Sequence, residues 1–241
     1  MPPEVSRLVV GPPGRDITHL ADCMFHHIDW SLVCAFVEMR HPDTNTFHMP
    51  FGEMTITLHD VFYILRVPID GCLVEGIPLE AGETYPMIVA EFLGLIEARV
   101  KENHVYFNGG LTTNSITENY GRNVGRVHPV EASGYLLALL GTTLFVDKSK
   151  SWVSPALIPY ASQLNRFYSY SWGSTTLAYL YRQLGIGSRA GCKQVSGCLT
   201  LLQAWIYWYF YSFRPSRSRR NISPTDLTVK MWPETSDRRA R

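Results

Sequence analysis

Six side chains able to bind a metal, Cys23, His26, His27, Cys34, His41 and His48, fall within one short stretch of the chain. Zinc would need a tetrahedral set drawn from pairs at C-x-x-C or H-x-x-x-H spacing, so that one turn or one helix face presents two ligands together. No such pair occurs in the stretch, and Cys34 lies within an apolar helical pattern, where a thiol packs as a small hydrophobe. The six therefore read as packed or surface residues, and no metal is expected.

His48 and Glu53 stand on either side of a Pro50-Phe51-Gly52 bend, where a general acid and base could face each other. With Asp60 and Arg182 they form the residue set an enzyme of unassigned chemistry would draw on. The alternation of the segment favours a structural role, with Phe47, Met49 and Phe51 packed inward and the polar members left outside. Ser171 and Ser174 flank Trp172-Gly173 without the G-x-S-x-G elbow of a nucleophile, and Ser174 reads as a helix cap. Gly185-Ile186-Gly187-Ser188-Arg189-Ala190 has glycines spaced as in a dinucleotide loop, but it succeeds a helical pattern rather than a strand. It reads as a loop between helices.

The elements that must position these residues are mostly helical. The spacing of Trp30, Val33, Phe36 and Val37 after Asp29 predicts a helix that stops before Pro42. Residues 46–57 alternate around the glycine-containing break and predict one small β-hairpin. Thr57 with Asp60 makes a capping box for a helix lined by Leu58, Val61, Phe62 and Leu65, ended by Pro68. Further helical runs begin near Pro86, near Ala132, around Leu157–Leu164 and around Leu177–Leu184, whereas residues 101–130 read as a long loop. The last run, from Val195 to Phe210, keeps an apolar face for about five turns. The expected fold class is mainly α, an irregular multi-helix domain with one β-hairpin.

Composition bounds the rest. With 46% hydrophobic residues, 18% charged residues, 13 Tyr, 11 Phe and 6 Trp among 241 residues, the chain can bury a substantial core and is not a disordered protein. Its five scattered cysteines suit a reducing compartment, and the first residues lack the apolar core of a secretory signal. Gly197–Phe213 is apolar but shorter than the ~20 residues that cross a bilayer, so it reads as a buried helix and no membrane partner is expected. Net charge is +1, yet residues 214–241 hold 8 Lys+Arg against 3 Asp+Glu. Arg214, Arg217, Arg219 and Arg220 in this basic tail are the candidates for nucleic-acid contact or nuclear import.

The run from Val37-Glu38 through His41-Pro42-Asp43-Thr44-Asn45-Thr46-Phe47-His48-Met49-Pro50-Phe51-Gly52-Glu53 to Leu58 resembles the opening block of the plant mobile domain family, of the MAINTENANCE OF MERISTEMS-like type. Tyr135-Leu136-Leu137 with Gly141 to Ser149, Tyr170-Ser171-Trp172-Gly173-Ser174 with Leu177 to Arg182, and Gly197 to Trp205 resemble its second, third and fourth blocks, in order. Phe47, His48, Pro50, Phe51, Gly52, Glu53, Trp172 and Gly173 are the family-motif residues. Rich in Pro, Gly and charge and without a period, residues 1–28 read as a flexible lead-in, and 214–241 as the basic tail; the resemblance implies a domain over 29–213 that is incomplete at its C-terminus. It implies a nuclear protein tied to meristem development, genome stability and transposon silencing, working with nuclear proteins that include a phosphatase-like partner. It also implies kinship with mobile elements, so an inactive fragment of one is a further alternative.

The family carries the labels aminotransferase-like and phosphatase 7 long form homolog, and the residues answer both. Lys101, Lys148, Lys150, Lys193 and Lys230 all lie in polar or element-end contexts unsuited to a pyridoxal Schiff base. A two-metal phosphatase needs clustered Asp, His and Asn on loops after strands, and no Gly-Asp pair exists in the chain. No catalytic residue and no cofactor is expected.

Overall fold

The computed structural model describes residues 8–22, 25, 27–74, 106–107, 110–112, 129–147, 152–189 and 194–215. These group into two compact units, one drawn from His19–Asp70 and Trp172–Arg241, the other from Met1–Thr18 and Gly71–Ser171. The segments expected near Pro86, in most of 101–128 and beyond residue 215 lie outside the described residues.

In the first unit, helix α1 (Trp30–Glu38) starts where the sequence places it, because the Asp29 carboxylate accepts the Leu32 N–H at 3.1 Å. The Asp29 N–H itself donates to Gln203 Oε1 at 2.7 Å. Leu32, Val33, Phe36 and Val37 form the buried stripe of α1. Next come three short antiparallel strands, β1 (Arg40–His41), β2 (Thr46–Met49) and β3 (Gly52–Met54), in the order β1-β2-β3. The β-element is thus one strand larger than the expected hairpin, and it ends at Met54 rather than Thr57. Asn45 turns the chain into β2 with a left-handed φ of 57°, a conformation that asparagine tolerates better than most residues. Met49 pairs with Gly52 across a two-residue loop, and Gly52 takes a φ of 133° that a side chain would resist.

Helix α2 (Leu58–Leu65) carries the capping box read from the sequence: Asp60 N–H donates to Thr57 Oγ1 at 3.2 Å and Thr57 N–H to Asp60 Oδ2 at 2.7 Å. It ends at a left-handed Arg66, two residues before Pro68.

The chain then passes into the second unit, whose described helices include α3 (Pro129–Leu139), α4 (Ile158–Ala161) and α5 (Leu164–Phe167). A π-turn over Leu140–Leu144 continues α3, with Thr143 Oγ1 donating to the Leu139 carbonyl at 2.5 Å. The stretch around 157–164 is broken into short pieces rather than one helix, since Pro155 and Pro159 lack the N–H groups a continuous ladder needs. Strands β4 (Tyr106–Phe107), β5 (Gly110–Thr112) and β6 (Trp152–Val153) form a second antiparallel sheet, so part of the expected 101–130 loop is strand. In the β5–β6 pair Thr112 lies opposite Trp152, a separation in sequence that no local alternation could announce. Val9 and Ile17, read as part of a lead-in without a period, are buried here.

Helix α6 (Trp172–Gly187) and helix α7 (Leu199–Tyr209) bring the chain back and complete the first unit. Gly173 N–H donates to the Pro68 carbonyl at 2.8 Å, and a Cβ at Gly173 would sit 2.8 Å from Ile69 Cγ2. That approach is why glycine succeeds the fully buried Trp172. Ser174 is not the cap: α6 already begins at Trp172, and Ser174 Oγ donates to the Ile69 carbonyl at 2.9 Å. Gly185 and Gly187 lie in the last turn of α6, not in a loop. Every residue from Leu199 to Tyr207 is buried, the pattern of a core helix. α7 is shorter than the five turns expected, because Gly197 breaks the run with a φ of 98°. No described helix is long and apolar enough to cross a membrane.

Replacing Gly173 by alanine is expected to destabilise the protein by about 1–3 kcal/mol, because the backbone at Pro68 and the Ile69 side chain must move apart. Urea unfolding of the variant measures it as a lower midpoint with an unchanged slope.

Candidate interaction surface

The bend of the first block is anchored by one charge and a cluster of rings. Arg40, buried in β1, donates from Nη1 to the Asn45 carbonyl at 2.6 Å and from Nη2 to Asn45 Oδ1 at 2.8 Å. Its guanidinium lies 5.1 Å from the centroid of Phe47 and 4.7 Å from that of Tyr181. Burial lowers the Arg40 pKa from its usual value, opposed by the neighbouring Tyr181. Tyr181 in turn shares a 2.8 Å hydrogen bond with Thr55 Oγ1 and donates to the Ile56 carbonyl.

Phe47 and Met49 point inward as expected. Phe47 stacks on Trp205 at 5.4 Å and meets Phe36 edge-on at 5.9 Å; Phe36 also meets Phe210 at 5.2 Å and Phe213 at 6.3 Å. Phe51 departs from expectation. It is 69% exposed at the tip of the bend, because the two-residue loop carries its side chain beyond the sheet pleat. Pro50 beside it is exposed as well.

An open groove of about 470 Å³ lies alongside, lined by Leu32, Ala35, Phe36, Met49, Phe51 and Phe213 among others. The rim continues into exposed aromatic residues at the end of α7 and beyond it, with Trp208 45% and Tyr211 74% exposed. The Arg214 guanidinium sits 3.6 Å from the Tyr211 centroid and donates to the Tyr207 and Trp208 carbonyls, so it closes the end of α7. Arg217, Arg219 and Arg220 lie outside the described residues.

The candidate acid/base residues do not converge. His48 and Glu53 are cross-strand neighbours with Nδ1 and Oε1 3.9 Å apart, both open to solvent, and Glu53 Oε2 accepts from Thr46 Oγ1 at 2.9 Å. Asp60 is buried and engaged by Thr57 and by the Tyr209 hydroxyl at 2.8 Å. Burial raises the Tyr209 pKa, helped by the hydrogen bond and charge of Asp60. Arg182 is exposed on α6. None of the four lines the groove.

Among the described residues no three His, Cys, Asp or Glu side chains group to hold a metal, and Cys23 and His26 lie outside them. Cys34 is mid-helix but on the exposed face of α1, unlike the buried position its apolar neighbours implied. Sequence alone did not single out Arg40, Asn45 or Tyr181. An arginine between an apolar helix and an alternating strand, with asparagine at the turn, was the available signal.

A profile of the plant mobile domain matches residues 16–241. The chain belongs to the plant mobile domain family. Among relatives, Protein MAINTENANCE OF MERISTEMS of Arabidopsis thaliana is 33% identical over 201 residues, covering 80% of this chain and 40% of its own length. Protein MAIN-LIKE 1 of Arabidopsis thaliana is 35% identical over 198 residues, 78% of this chain and 37% of its own. A serine/threonine-protein phosphatase 7 long form homolog from the same plant is 33% identical over 199 residues, 80% of this chain but 14% of its own. This plant mobile domain chain therefore spans well under half the length of these relatives. No solved structure matches it at a significant level.

The cysteines give the unit a chemical readout. Cys198, fully buried at the start of α7, has its thiol pushed up from 9.0 to about 12 by burial, whereas Cys34 is exposed. A raised folded pKa means this contribution to stability is complete below the unfolded value and is lost as pH climbs from about 9 toward 12. Alkylation of the native protein at about pH 8, read peptide by peptide in a mass spectrometer, is expected to modify Cys34 at least roughly tenfold faster than Cys198.

Proposed function

We propose that this chain is a non-catalytic interaction module of the nucleus that contributes to meristem development, genome stability and transposon silencing by holding partner proteins. The observation that carries this reading is the display of Phe51 on the family-motif bend, beside an apolar groove and an exposed aromatic rim. Scattered single apolar residues on a surface need no explanation, but a contiguous group with large aromatics is the composition of a contact site.

The dispersal of His48, Glu53, Asp60 and Arg182 supports the non-catalytic part, since acid/base chemistry needs its groups within reach of one substrate atom. Family membership and the name of the MAINTENANCE OF MERISTEMS relative support the developmental part. A phosphatase-like protein is the proposed partner class, a reading drawn from the phosphatase homolog, in which this domain is a small fraction of a longer chain. The basic residues Arg217, Arg219 and Arg220 are assigned a supporting contact with nucleic acid, on charge alone.

Affinity purification from plant nuclei tests the reading. The tagged chain is expected to recover a phosphatase-like protein, and Phe51→Ser to reduce that recovery at least roughly fivefold while leaving the melting temperature unchanged. Recovery of chaperones alone, or equal recovery by the variant, would contradict it.

A further inference from the structure

Phe51 lines the groove and is also 69% exposed, so a projecting ring and a cleft able to take one lie on the same face of the first unit. Leu32 and Ala35 of α1 wall the cleft on one side, Phe210 and Phe213 on another. Its volume of about 470 Å³ falls in the range of roughly 300–1,000 Å³ that accommodates groups of ring size and larger. The aromatic face is continuous, with the Phe51 and Phe210 centroids 6.4 Å apart and those of Phe210 and Phe213 6.3 Å apart. Charge is divided between its edges: Glu53 is exposed on the bend, two residues after Phe51, whereas Arg214 follows Phe213 in the chain after α7.

A two-fold contact lays a patch antiparallel on its own copy, so opposite edges meet and the patch must be its own complement. A ring beside a cleft supplies one such pair, and a carboxylate edge across from a guanidinium edge supplies the other. We propose that two copies of this chain associate reversibly through this face, the Phe51 ring of each entering the groove of the other; this rests on reading the face as an interaction site and names a second copy as the occupant that a phosphatase-like partner displaces.

The area sets the strength. Phe51, Trp208, Tyr211 and Phe213 are exposed by 69%, 45%, 74% and 43%, which at about 200 Å² for a whole aromatic side chain offers roughly 450 Å² on each copy. Two copies together then bury about 900 Å² of aromatic surface, below the ~1,200 Å² at which stable interfaces begin and within the class of transient contacts. Dissociation in the range of about 1–100 micromolar follows, so the chain is monomeric when dilute and the face stays open to exchange.

Sedimentation equilibrium of the purified full chain, from about 0.5 to about 200 micromolar, is expected to pass from the mass of one chain to that of two. Phe51→Ser is expected to weaken the association at least roughly tenfold. Glu53→Lys, which sets like charges on the edges that meet, is expected to weaken it at least roughly threefold. The contact is located with p-benzoylphenylalanine in place of Phe51 in a mixture of light and isotope-labelled chains: irradiation is expected to join peptides of different label, with Leu32–Met39 as the attached segment. A single-chain mass at every concentration, association untouched by Phe51→Ser, or mixed-label cross-links outside the groove walls would overturn the proposal. The chain is alone in these measurements, so self-association can fail while partner recovery stands, and the reverse.

Discussion

The Phe47 ring meets both the Arg40 guanidinium and the Trp205 indole, and the placement of the bend depends on those two contacts. Trp205 belongs to α7, which is buried along nearly its whole length, so the ring ties a three-stranded bend to the centre of its unit. Arg40 completes the tie from the other end of the turn through both Asn45 oxygens. A buried guanidinium costs desolvation, which two hydrogen bonds and two aromatic faces offset in place of a carboxylate. Among the described residues its Nε has no partner, a residual cost of the burial.

The same contacts determine what is displayed. With Phe47 and Met49 directed inward, register in an antiparallel pair forces His48 and Glu53 outward, and the two-residue loop leaves Phe51 at the tip. The residues that looked chemical are therefore the solvated face of the sheet. The residue that looked like core is the exposed one. The proposed contact surface is assembled from the bend, a helix and the end of α7, an arrangement of packed elements that lowers the ordering cost of binding.

Local signals were legible in the sequence wherever a few neighbouring residues decide the geometry. Asp29 and the Thr57–Asp60 box located two helix starts, because a cap involves only the first turn. Alternation located β2, although it could not count strands: β1 is two residues long and owes its pairing to the turn at Asn45. Long-range geometry was not legible. The β5–β6 pairing joins segments far apart in the chain, Gly173 is required by Pro68 and Ile69 beyond its own helix, and Gly197 shortens α7 through a backbone angle the apolar pattern hides. Phe51 was misplaced because alternation continues on paper through a loop that, in space, leaves the pleat. Arg40 was missed because its one signal, a place between an apolar helix and an alternating strand, says nothing of the Tyr181 ring that covers it from a distant helix.

Two phenylalanines on one short bend thus have opposite roles, Phe47 fixing it and Phe51 displayed by it. Equilibrium urea unfolding of Phe47→Ala and Phe51→Ala measures that difference directly. Phe47→Ala is expected to lose about 3–5 kcal/mol, as for a large ring removed from a packed core, and Phe51→Ala to stay within about 0.5 kcal/mol of the parent. Equal losses, or a larger loss at Phe51, would contradict the claim that the bend is anchored through Phe47 and Trp205.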